Sequence, residues 1–257
     1  MMKKPLLVGH RGVGAAAPEN TLPSYNLAGL LGRYWGVECD IHETSDGSFI
    51  LLHDDTLNDT TDVLSIYNEK ARADGLVYAE DLTLGEIKAL SVKDRDNPPA
   101  YKNIFLYKRV TVPTLEEYLE VCERFSLTPV IEIKQLRNPE GFVSTLEKCG
   151  FLHKCVVISF VRPALSAVLE LVPDINNQVL FAEGDVIDKP VLDEVVRLGY
   201  GGIDIHYGSA NAGCVALAHS MGLTVNAWEC VPGVTKEEIE RVVSTGVDML
   251  TSDTPCL

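Results

Sequence analysis

Two acidic residues, separated by one residue, stand at the end of an apolar, strand-like run at residues 36–41. Side chains alternate faces along a strand, so Glu38 and Asp40 point one way while Cys39 points the other way. Two neighbouring carboxylates that point into a protein repel each other and need a cation or a shared proton. Hard divalent ions such as Mg²⁺ and Ca²⁺ prefer such oxygen ligands, which makes the pair a candidate metal site. A strand whose acids face solvent would show the same spacing.

A histidine ends the next strand-like run, at residues 48–53. The dipeptide Asp46-Gly47 between the two runs is typical of a two-residue hairpin turn, so we expect the runs to be antiparallel. In that register residue 45 pairs with residue 48, and Asp40 pairs directly with His53. An imidazole beside two acids is suited to proton transfer.

Two further motifs carry residues suited to binding a phosphate. Glu132-Ile133-Lys134 repeats the alternation on a later strand, which makes Glu132 a third oxygen ligand and Lys134 a phosphate contact. Burying both charges without partners is costly, and a metal ion with an anionic substrate would supply those partners. Gly9-His10-Arg11-Gly12 follows the first strand, where Arg11 offers a forked donor for phosphate or carboxylate and His10 a second proton-transfer group.

Apolar strand-like runs alternate with amphipathic helix-like segments along the whole chain. Strands are expected at residues 5–9, 36–41, 48–53, 128–134, 155–160, 178–181, 202–205, 223–228 and 247–251. Helices are expected at residues 114–124, 139–149, 162–171, 190–198 and 236–244, the first and last opening with Thr-x-x-Glu capping signals. This order predicts an α/β fold, either a barrel or an open doubly wound sheet. No glycine-rich GxGxxG follows the first strand, which weakens the dinucleotide-binding alternative.

Two features interrupt the regular alternation. The connection between the runs at 36–41 and 48–53 is too short for a crossover helix, so one of the nine strands is not a regular parallel barrel strand. Residues from about 54 to 110 hold one helix-like stretch, at 82–90, within much polar sequence. We interpret this segment as an insertion above the barrel, after the third strand and without a core of its own, so that residues 1–257 form a single domain.

The chain is acidic, with 22 Lys and Arg against 37 Asp and Glu and a formal net charge of -15. Such a surface repels nucleic-acid phosphates and anionic lipids, so an anionic substrate needs local cations or a bound metal. The seven cysteines show no paired spacing, which indicates free thiols in a reducing compartment. The apolar run at the N-terminus is too short for a signal peptide and no stretch matches a membrane span, so we expect a cytoplasmic protein. The oligomeric state stays open.

The motifs occur in a fixed order, which is GHRG at 9–12, PENT at 18–21, Glu38-x-Asp40, Asp46-Gly47, His53-Asp54, Glu132-x-Lys134, Trp228 and Asp253-x-Pro255. This ordered set resembles the glycerophosphodiester phosphodiesterase family over nearly the whole chain. The resemblance implies a distorted (β/α)8 TIM barrel that binds one divalent metal ion, Mg²⁺ or Ca²⁺, through Glu38, Asp40 and Glu132. It also implies an acid–base pair of His10 and His53, and contacts to the substrate from Arg11, Lys134 and Trp228.

The activity that the resemblance implies is metal-dependent hydrolysis of a small glycerophosphodiester to glycerol 3-phosphate and an alcohol. The attacking group would be water or the neighbouring glycerol hydroxyl, and the second route passes through a cyclic phosphate. Three positions depart from the family pattern: Asn58-Asp59 stands where an arginine usually precedes Thr60-Thr61, Trp228-Glu229 replaces Trp-Thr, and Thr251-Ser252-Asp253 replaces Thr-Asp. These departures bear on substrate recognition more than on the chemistry.

Three other functions would use parts of the same pattern. A lysophospholipase D would keep the fold and the metal, and an extended apolar groove in the insertion would favour it over a small polar pocket. A metal-dependent barrel lyase or aldolase would explain the three acids but not the two histidines. A non-catalytic binding relative is expected to have lost a metal ligand or a histidine, and none is lost.

Overall fold

Eight of the nine strands lie parallel and side by side in a closed ring in the computed structural model of the protein, which describes residues 4–93, 109–230 and 233–254. The order around the ring is β1-β2-β4-β5-β6-β7-β8-β9, and β9 pairs again with β1. The strands are β1 Leu6–Gly9, β2 Gly36–Glu43, β3 Phe49–Leu51, β4 Thr128–Ile133, β5 Val156–Ser159, β6 Asn177–Phe181, β7 Gly202–His206, β8 Thr224–Cys230 and β9 Met249–Ser252. The distorted (β/α)8 barrel is therefore confirmed, and each predicted strand end lies within two residues of its observed position.

Nine α-helices are present in the described part of the chain. They are α1 Leu22–Leu31, α2 Val63–Ile66, α3 Leu84–Lys88, α4 Leu115–Phe125, α5 Pro139–Lys148, α6 Arg162–Leu171, α7 Lys189–Arg197, α8 Ala212–Ser220 and α9 Lys236–Ser244. The two predicted capping boxes, at Thr114 and Thr235, are both formed. The helix expected at 82–90 is present as α3. Three helices were not predicted: α1 and α8 do not separate a polar from an apolar face, and α2 is only four residues long. Six consecutive residues of α1 are buried, from Pro23 to Ala28.

The hairpin between β2 and β3 is antiparallel as predicted, but its predicted register is wrong by one residue. Ile41 pairs with Leu51, and the amide of Leu52 donates to the carbonyl of Asp40 at 3.1 Å. Asp40 is therefore opposite Leu52 and not opposite His53. The turn holds three residues, 45–47, because the side chain of Thr44 bonds both Asp46 and Ser48 across it. Gly47 closes this longer turn with a φ of 80°.

The segment after β3 packs on a second, smaller hydrophobic cluster. Leu57, Val63, Leu82, Ile87 and Leu90 are all fully buried in it, together with Ile50 of β3. The expectation of an insertion without a core is thus wrong in this respect, because Ile50 packs with the segment while Phe49 and Leu51, on the opposite face of β3, pack in the main core. Residues 94–108 of the predicted insertion lie outside the described residues. Among the residues that are described, no helix is long and apolar enough to cross a membrane.

The inside of the barrel changes character along the strands. A small apolar cluster of Val8, Val130, Val156, Ile158 and Leu180 fills the interior. Towards the C-terminal ends of the strands, the buried positions of β2, β4 and β7 become acidic instead. The functional groups are therefore concentrated at the end where (β/α)8 barrels carry their active sites.

Candidate active site

Three buried acids meet at the C-terminal ends of β2 and β4. Asp40 pairs with Glu132 across the two parallel strands, and Glu38 precedes Asp40 on the same face of β2. One carboxylate oxygen of each residue lies within 4.8 Å of one oxygen of each of the other two. Their exposed fractions are only 3%, 1% and 9% for Glu38, Asp40 and Glu132. The structure thus brings the three predicted metal ligands into one cluster of hard oxygen donors.

Two cations neutralise part of this charge. The Nζ atom of Lys134 lies 3.0 Å from Asp40 Oδ1 and 2.7 Å from Glu132 Oε1, while Arg11 Nε lies 3.3 Å from Asp40 Oδ2. Burial alone would raise the pKa of Asp40, but the charges of Lys134 and Arg11 outweigh it and hold that pKa far below its ordinary value. Asp40 is therefore ionised at any physiological pH.

The charges of the other two acids, Glu38 and Glu132, are less well compensated than that of Asp40, and the pKa of each is raised. Burial raises the pKa of Glu38 well above its ordinary value, and the charges of Asp40 and Glu132 raise it further. Burial and the charge of Asp40 raise the pKa of Glu132 to about 7. Glu38 Oε1 is buried and has no hydrogen-bond partner among the described residues. An unbonded buried carboxylate oxygen beside two further carboxylates fits a divalent cation, since such an ion takes several oxygen ligands at once.

The first loop places the backbone and side chain of Arg11 against the acids. Arg11 has a φ of 49°, and its amide donates to Glu38 Oε2 at 2.8 Å. The side chain of Arg11 donates through Nη1 to Glu19 Oε2 at 3.0 Å. Gly12 follows with a φ of 91°, and a side chain at this position would strike Ser24. The tight geometry expected from the flanking glycines is therefore used to turn an amide towards the acidic cluster.

Each of the two predicted proton-transfer histidines is held by an aspartate. His10 Nδ1 lies 2.7 Å from Asp253 Oδ1, and His53 Nδ1 lies 2.9 Å from Asp54 Oδ1. An aspartate at one ring nitrogen fixes the tautomer and the orientation of the ring. Burial lowers the pKa of His53, while the charge of Asp40 opposes that effect. His53 reaches the site although the predicted pairing was wrong, because it directly follows the residue opposite Asp40.

Asn20 is a site residue to which the sequence analysis gave no role. Its Nδ2 donates to Asp40 Oδ2 at 2.8 Å, and its Oδ1 accepts from the amide of Asp40 at 3.1 Å and from Tyr25 at 2.8 Å. Its φ of 52° is a left-handed conformation that Asn adopts more readily than most residues. An asparagine in the PENT motif was the available signal, but its partner on β2 lies 20 positions away.

A cavity of about 290 Å³ opens beside the acidic cluster. It is lined by seven of the eight predicted site residues, which are His10, Arg11, Glu38, His53, Glu132, Lys134 and Trp228. Asp40 lies behind this wall, bonded to Lys134 and Asn20. Trp228 donates to the carbonyl of Phe181 at 3.2 Å and packs edge-on against Phe160, with 5.8 Å between the ring centroids. The predicted residues therefore meet around one cavity.

The same cavity is also lined by residues that the sequence analysis did not select. Asp204 on β7 is fully buried, and its Oδ2 accepts from Asn226 at 2.8 Å. Burial raises the pKa of Asp204 well above its ordinary value. Thr251 on β9 lines the cavity as well. A single acid in the apolar strand GIDIH was a usable signal for Asp204, whereas Thr251 carried none.

Among the departures from the family pattern, Thr251 lines this cavity and Asp253 holds His10 beside it. Asp59 is exposed and does not line the cavity. The side chain of Glu229 lies outside the described residues.

His206, which follows Asp204 on the same face of β7, is buried and accepts the amide of Gly208 through Nδ1 at 3.2 Å. It supports Trp228, with 5.4 Å between the ring centroids.

Two other cavities differ in position and lining. A cavity of about 500 Å³ lies at the N-terminal ends of β4, β5 and β6, opposite the acidic cluster. A cavity of about 280 Å³ borders the acidic site through Lys134 and is lined otherwise by His42, Asp55, Tyr78, Glu80 and Gln135. The larger cavity also has an acid, a histidine and a cation in its wall, but Glu123, His153 and Lys154 are exposed there, whereas the acids beside the 290 Å³ cavity are buried.

Comparisons with known proteins agree with this geometry. The model of the glycerophosphoryl diester phosphodiesterase family matches residues 10–257. A glycerophosphodiester phosphodiesterase of Caldanaerobacter subterraneus subsp. tengcongensis is 26% identical over 257 aligned residues, which cover 98% of this chain and 95% of that protein. One of Bacillus subtilis is 27% identical and covers 98% of this chain and 84% of that protein. The solved structure of an Oleispira antarctica phosphodiesterase in complex with the product sn-glycerol-3-phosphate has a TM-score of 0.79 at 25% identity, covering 98% and 94% of the two chains.

Proposed function

Because this chain belongs to the glycerophosphoryl diester phosphodiesterase family, we propose that it hydrolyses small glycerophosphodiesters to glycerol 3-phosphate and an alcohol in a metal-dependent reaction. The observation that carries the proposal is the unbonded Oε1 of Glu38 within a cluster of three acids. Arg11, Lys134 and the two histidines line the cavity beside that cluster. One bound diester would then have access to metal ligands, to hydrogen-bond donors for its phosphate and to groups that transfer protons.

Glu38, Asp40 and Glu132 would hold the divalent ion, for which both Mg²⁺ and Ca²⁺ are suitable hard cations. When bound, the ion supplies positive charge that polarises a non-bridging phosphate oxygen and stabilises the charge of the transition state. The protein's own contribution is a set of buried donors whose mutual repulsion the ion relieves. Asn20 and Lys134 fix the orientation of the Asp40 carboxylate before the ion arrives.

Arg11 and Lys134 would bind the remaining charge of the phosphate. Both side chains are mostly buried, with 18% and 17% exposed, and both line the cavity. A guanidinium offers two parallel donors to phosphate oxygens, while an ammonium group acts as a compact charge. Trp228 and Phe160 would cover the bound diester from the mouth of the cavity and exclude water from it.

His10 and His53 would exchange the two protons of the reaction. With Nδ1 bonded to an aspartate in each case, Nε2 is the nitrogen that takes a proton from the attacking hydroxyl or gives one to the leaving alkoxide. The attacking group is either water or the adjacent glycerol hydroxyl. Detection of a cyclic phosphate by ³¹P NMR during turnover distinguishes the second route from the first.

A lysophospholipase D activity is the second candidate. It is favoured by Phe160 and Val161, which stand 43% and 41% exposed where β5 ends at the mouth of the barrel and offer contacts to an acyl chain. Against it, the cavity beside Lys134 is lined by polar side chains such as Asp55 and Glu80. Comparing hydrolysis of lysophosphatidylcholine with that of glycerophosphocholine under one metal separates the two activities.

The first test is release of glycerol 3-phosphate from glycerophosphocholine with Mg²⁺, with Ca²⁺ and with excess EDTA. We expect release with a metal and none with EDTA. His10→Ala and His53→Ala are expected to lower kcat by about 10²- to 10⁴-fold, which is the usual contribution of a general acid or base.

His219→Ala is the matched control for both histidine variants. His219 pairs with Asp248 at 2.9 Å, so it is also a histidine–aspartate pair, but it does not line the cavity. Its variant should keep the wild-type kcat. Turnover that survives in both His10→Ala and His53→Ala would contradict the assignment, and wild-type protein that hydrolyses no diester under any metal would contradict the function itself.

A further inference from the structure

We propose that Asp204 binds the glycerol hydroxyl that lies farthest from the phosphate, and that it is therefore the residue that selects a glycerol diester over diesters without that hydroxyl. The inference rests on the function proposed above. It concerns the wall of the cavity that faces the acidic cluster, which the chemistry described so far does not use.

The position of Asp204 follows from the order of the strands in the ring. β7 lies four places from β2 in either direction around the eight-stranded barrel, so Asp204 projects into the cavity from the wall opposite Glu38 and Asp40. A diester whose phosphate is bound at the acidic cluster must extend away from β2. The phosphate carries two arms, and we place the glycerol arm towards β7 because Asp204 offers a hydroxyl partner there. The part of the glycerol that reaches β7 is then its distal end, which carries the terminal hydroxyl.

One oxygen of Asp204 is left for a ligand. Oδ2 accepts from Asn226 Nδ2 at 2.8 Å, and the same amide group donates to Thr251 Oγ1 at 3.0 Å. The carboxyl group is thus held in a fixed orientation by a chain of hydrogen bonds across β7, β8 and β9. Oδ1 is buried and has no hydrogen-bond partner among the described residues. A buried polar atom without a partner costs about 1–3 kcal/mol, so a ligand that bonds it recovers that cost.

The remaining surface of this part of the cavity suits a short polyol. Ile158 and Leu180 are apolar, and the rings of Phe160 and Trp228 stand above them. These side chains fit the CH groups of glycerol but give its hydroxyls no partner. A carboxyl group bonds a hydroxyl in either protonation state, since it accepts when ionised and also donates when protonated.

The test compares two substrates that differ only in the distal hydroxyl. These are glycerophosphocholine and 2-hydroxypropyl phosphocholine, which keeps the hydroxyl next to the ester and so remains competent for either route of attack. We expect wild-type protein to prefer glycerophosphocholine by roughly 10- to 100-fold in kcat/KM, the effect of one hydrogen bond to a charged or buried group. In Asp204→Leu, which keeps roughly the size of the side chain, this preference should fall to within about threefold, because an apolar side chain offers the distal hydroxyl no hydrogen-bond partner.

Glu43→Gln is the matched control. Glu43 is another buried carboxyl, on β2, whose Oε2 accepts the amides of Arg137 and Asn138 at 2.7 and 3.0 Å, and it does not line the cavity. Its variant should keep the full preference for glycerophosphocholine, whatever its effect on the overall rate. Asp204→Ala provides a second variant if Asp204→Leu does not fold, and the preference should be lost there too.

The outcomes separate this inference from the proposed function. Wild-type protein that hydrolyses both substrates equally well overturns the role of Asp204 and leaves the function intact. An Asp204 variant that slows both substrates by the same factor also overturns it, because that result describes a structural role. Wild-type protein that hydrolyses neither substrate overturns the proposed function and this inference with it.

Discussion

Replacing Glu132 by Gln is expected to stabilise the metal-free protein above neutral pH and to weaken its response to a divalent metal ion. Glu132 is 9% exposed, and Lys134 lies 2.7 Å from its Oε1. Its pKa is nevertheless raised from the ordinary 4.5 to about 7, first by burial and then by the charge of Asp40. The folded protein therefore holds a proton on Glu132 more tightly than the unfolded chain does.

The sign and size of the effect follow from that pKa. A group that binds its proton more tightly in the folded state lowers the free energy of unfolding as the pH rises from about 4.5 to about 7. Once Glu132 is fully ionised the loss is roughly 3 kcal/mol, since a tenfold change in proton affinity corresponds to about 1.36 kcal/mol. Glu132→Gln removes this loss, so the variant should gain most at pH 8 and almost nothing at pH 4.5.

Bound metal should reverse the comparison. A metal ion at a concentration of about 100 times its dissociation constant stabilises the folded protein by about 2.7 kcal/mol. Ionised Glu132 would then stabilise the folded protein as a metal ligand, whereas without metal its ionisation destabilises it. The variant retains only Glu38 and Asp40 as carboxylate ligands of the cluster, so its stabilisation by metal should be much smaller. Urea unfolding at pH 5 and pH 8, with EDTA or with saturating Ca²⁺ or Mg²⁺, measures both effects without reference to activity.

The control for this experiment is again Glu43→Gln. Glu43 accepts two backbone amides, so its loss should destabilise the protein at both pH values and leave the response to metal unchanged. A metal-free Glu132→Gln protein that is less stable than wild type at pH 8 would refute the account of the acidic cluster. An undiminished stabilisation by metal in that variant would refute the assignment of Glu132 as a ligand.

Two further predictions concern residues that position the reacting groups. Asp253→Asn should lower kcat by about 10²- to 10⁴-fold with little change in KM, because it removes the 2.7 Å contact that orients His10; steady-state kinetics beside Asp248→Asn check this, and an equal loss in both variants would contradict it. Asn20→Gly tolerates the φ of 52° but removes both bonds to Asp40, so metal affinity measured by calorimetry should fall by about 10- to 100-fold. An unchanged affinity would mean that the barrel alone orients this carboxylate.

Much of the site was readable from the sequence because strand geometry is local. The alternation of faces is enough to place Glu38 beside Asp40 and Glu132 beside Lys134. The parallel pairing of β2 with β4 then brings the two motifs together, as the observed pairing of Asp40 with Glu132 shows. A prediction of this kind needs only the correct strands and the correct order of neighbours.

The parts that failed depend on contacts between distant segments. The register of the hairpin was set by the side chain of Thr44, which bonds Asp46 and Ser48 and lengthens the turn, and a dipeptide signal does not contain that information. The partner of His10 is 243 residues away and becomes visible only when β9 closes the ring against β1. The place of Asp204 in the site could not be predicted for the same reason, because its position opposite β2 is a property of the closed barrel.

The balance of charge in the site also bears on how its ligands bind. With all three acids ionised, the cluster and its two cations, Arg11 and Lys134, carry one net negative charge in a buried position. A divalent ion alone turns this into one net positive charge, and a phosphodiester anion then brings the sum to zero. The metal ion and the phosphodiester therefore compensate each other's charge. Binding of either one would raise the affinity for the other, and the factor is the same in both directions. In the metal-free protein the raised pKa values of Glu38 and Glu132 favour bound protons, which a divalent ion would displace, so an acidic protein of net charge -15 would gain a local positive charge for an anionic substrate.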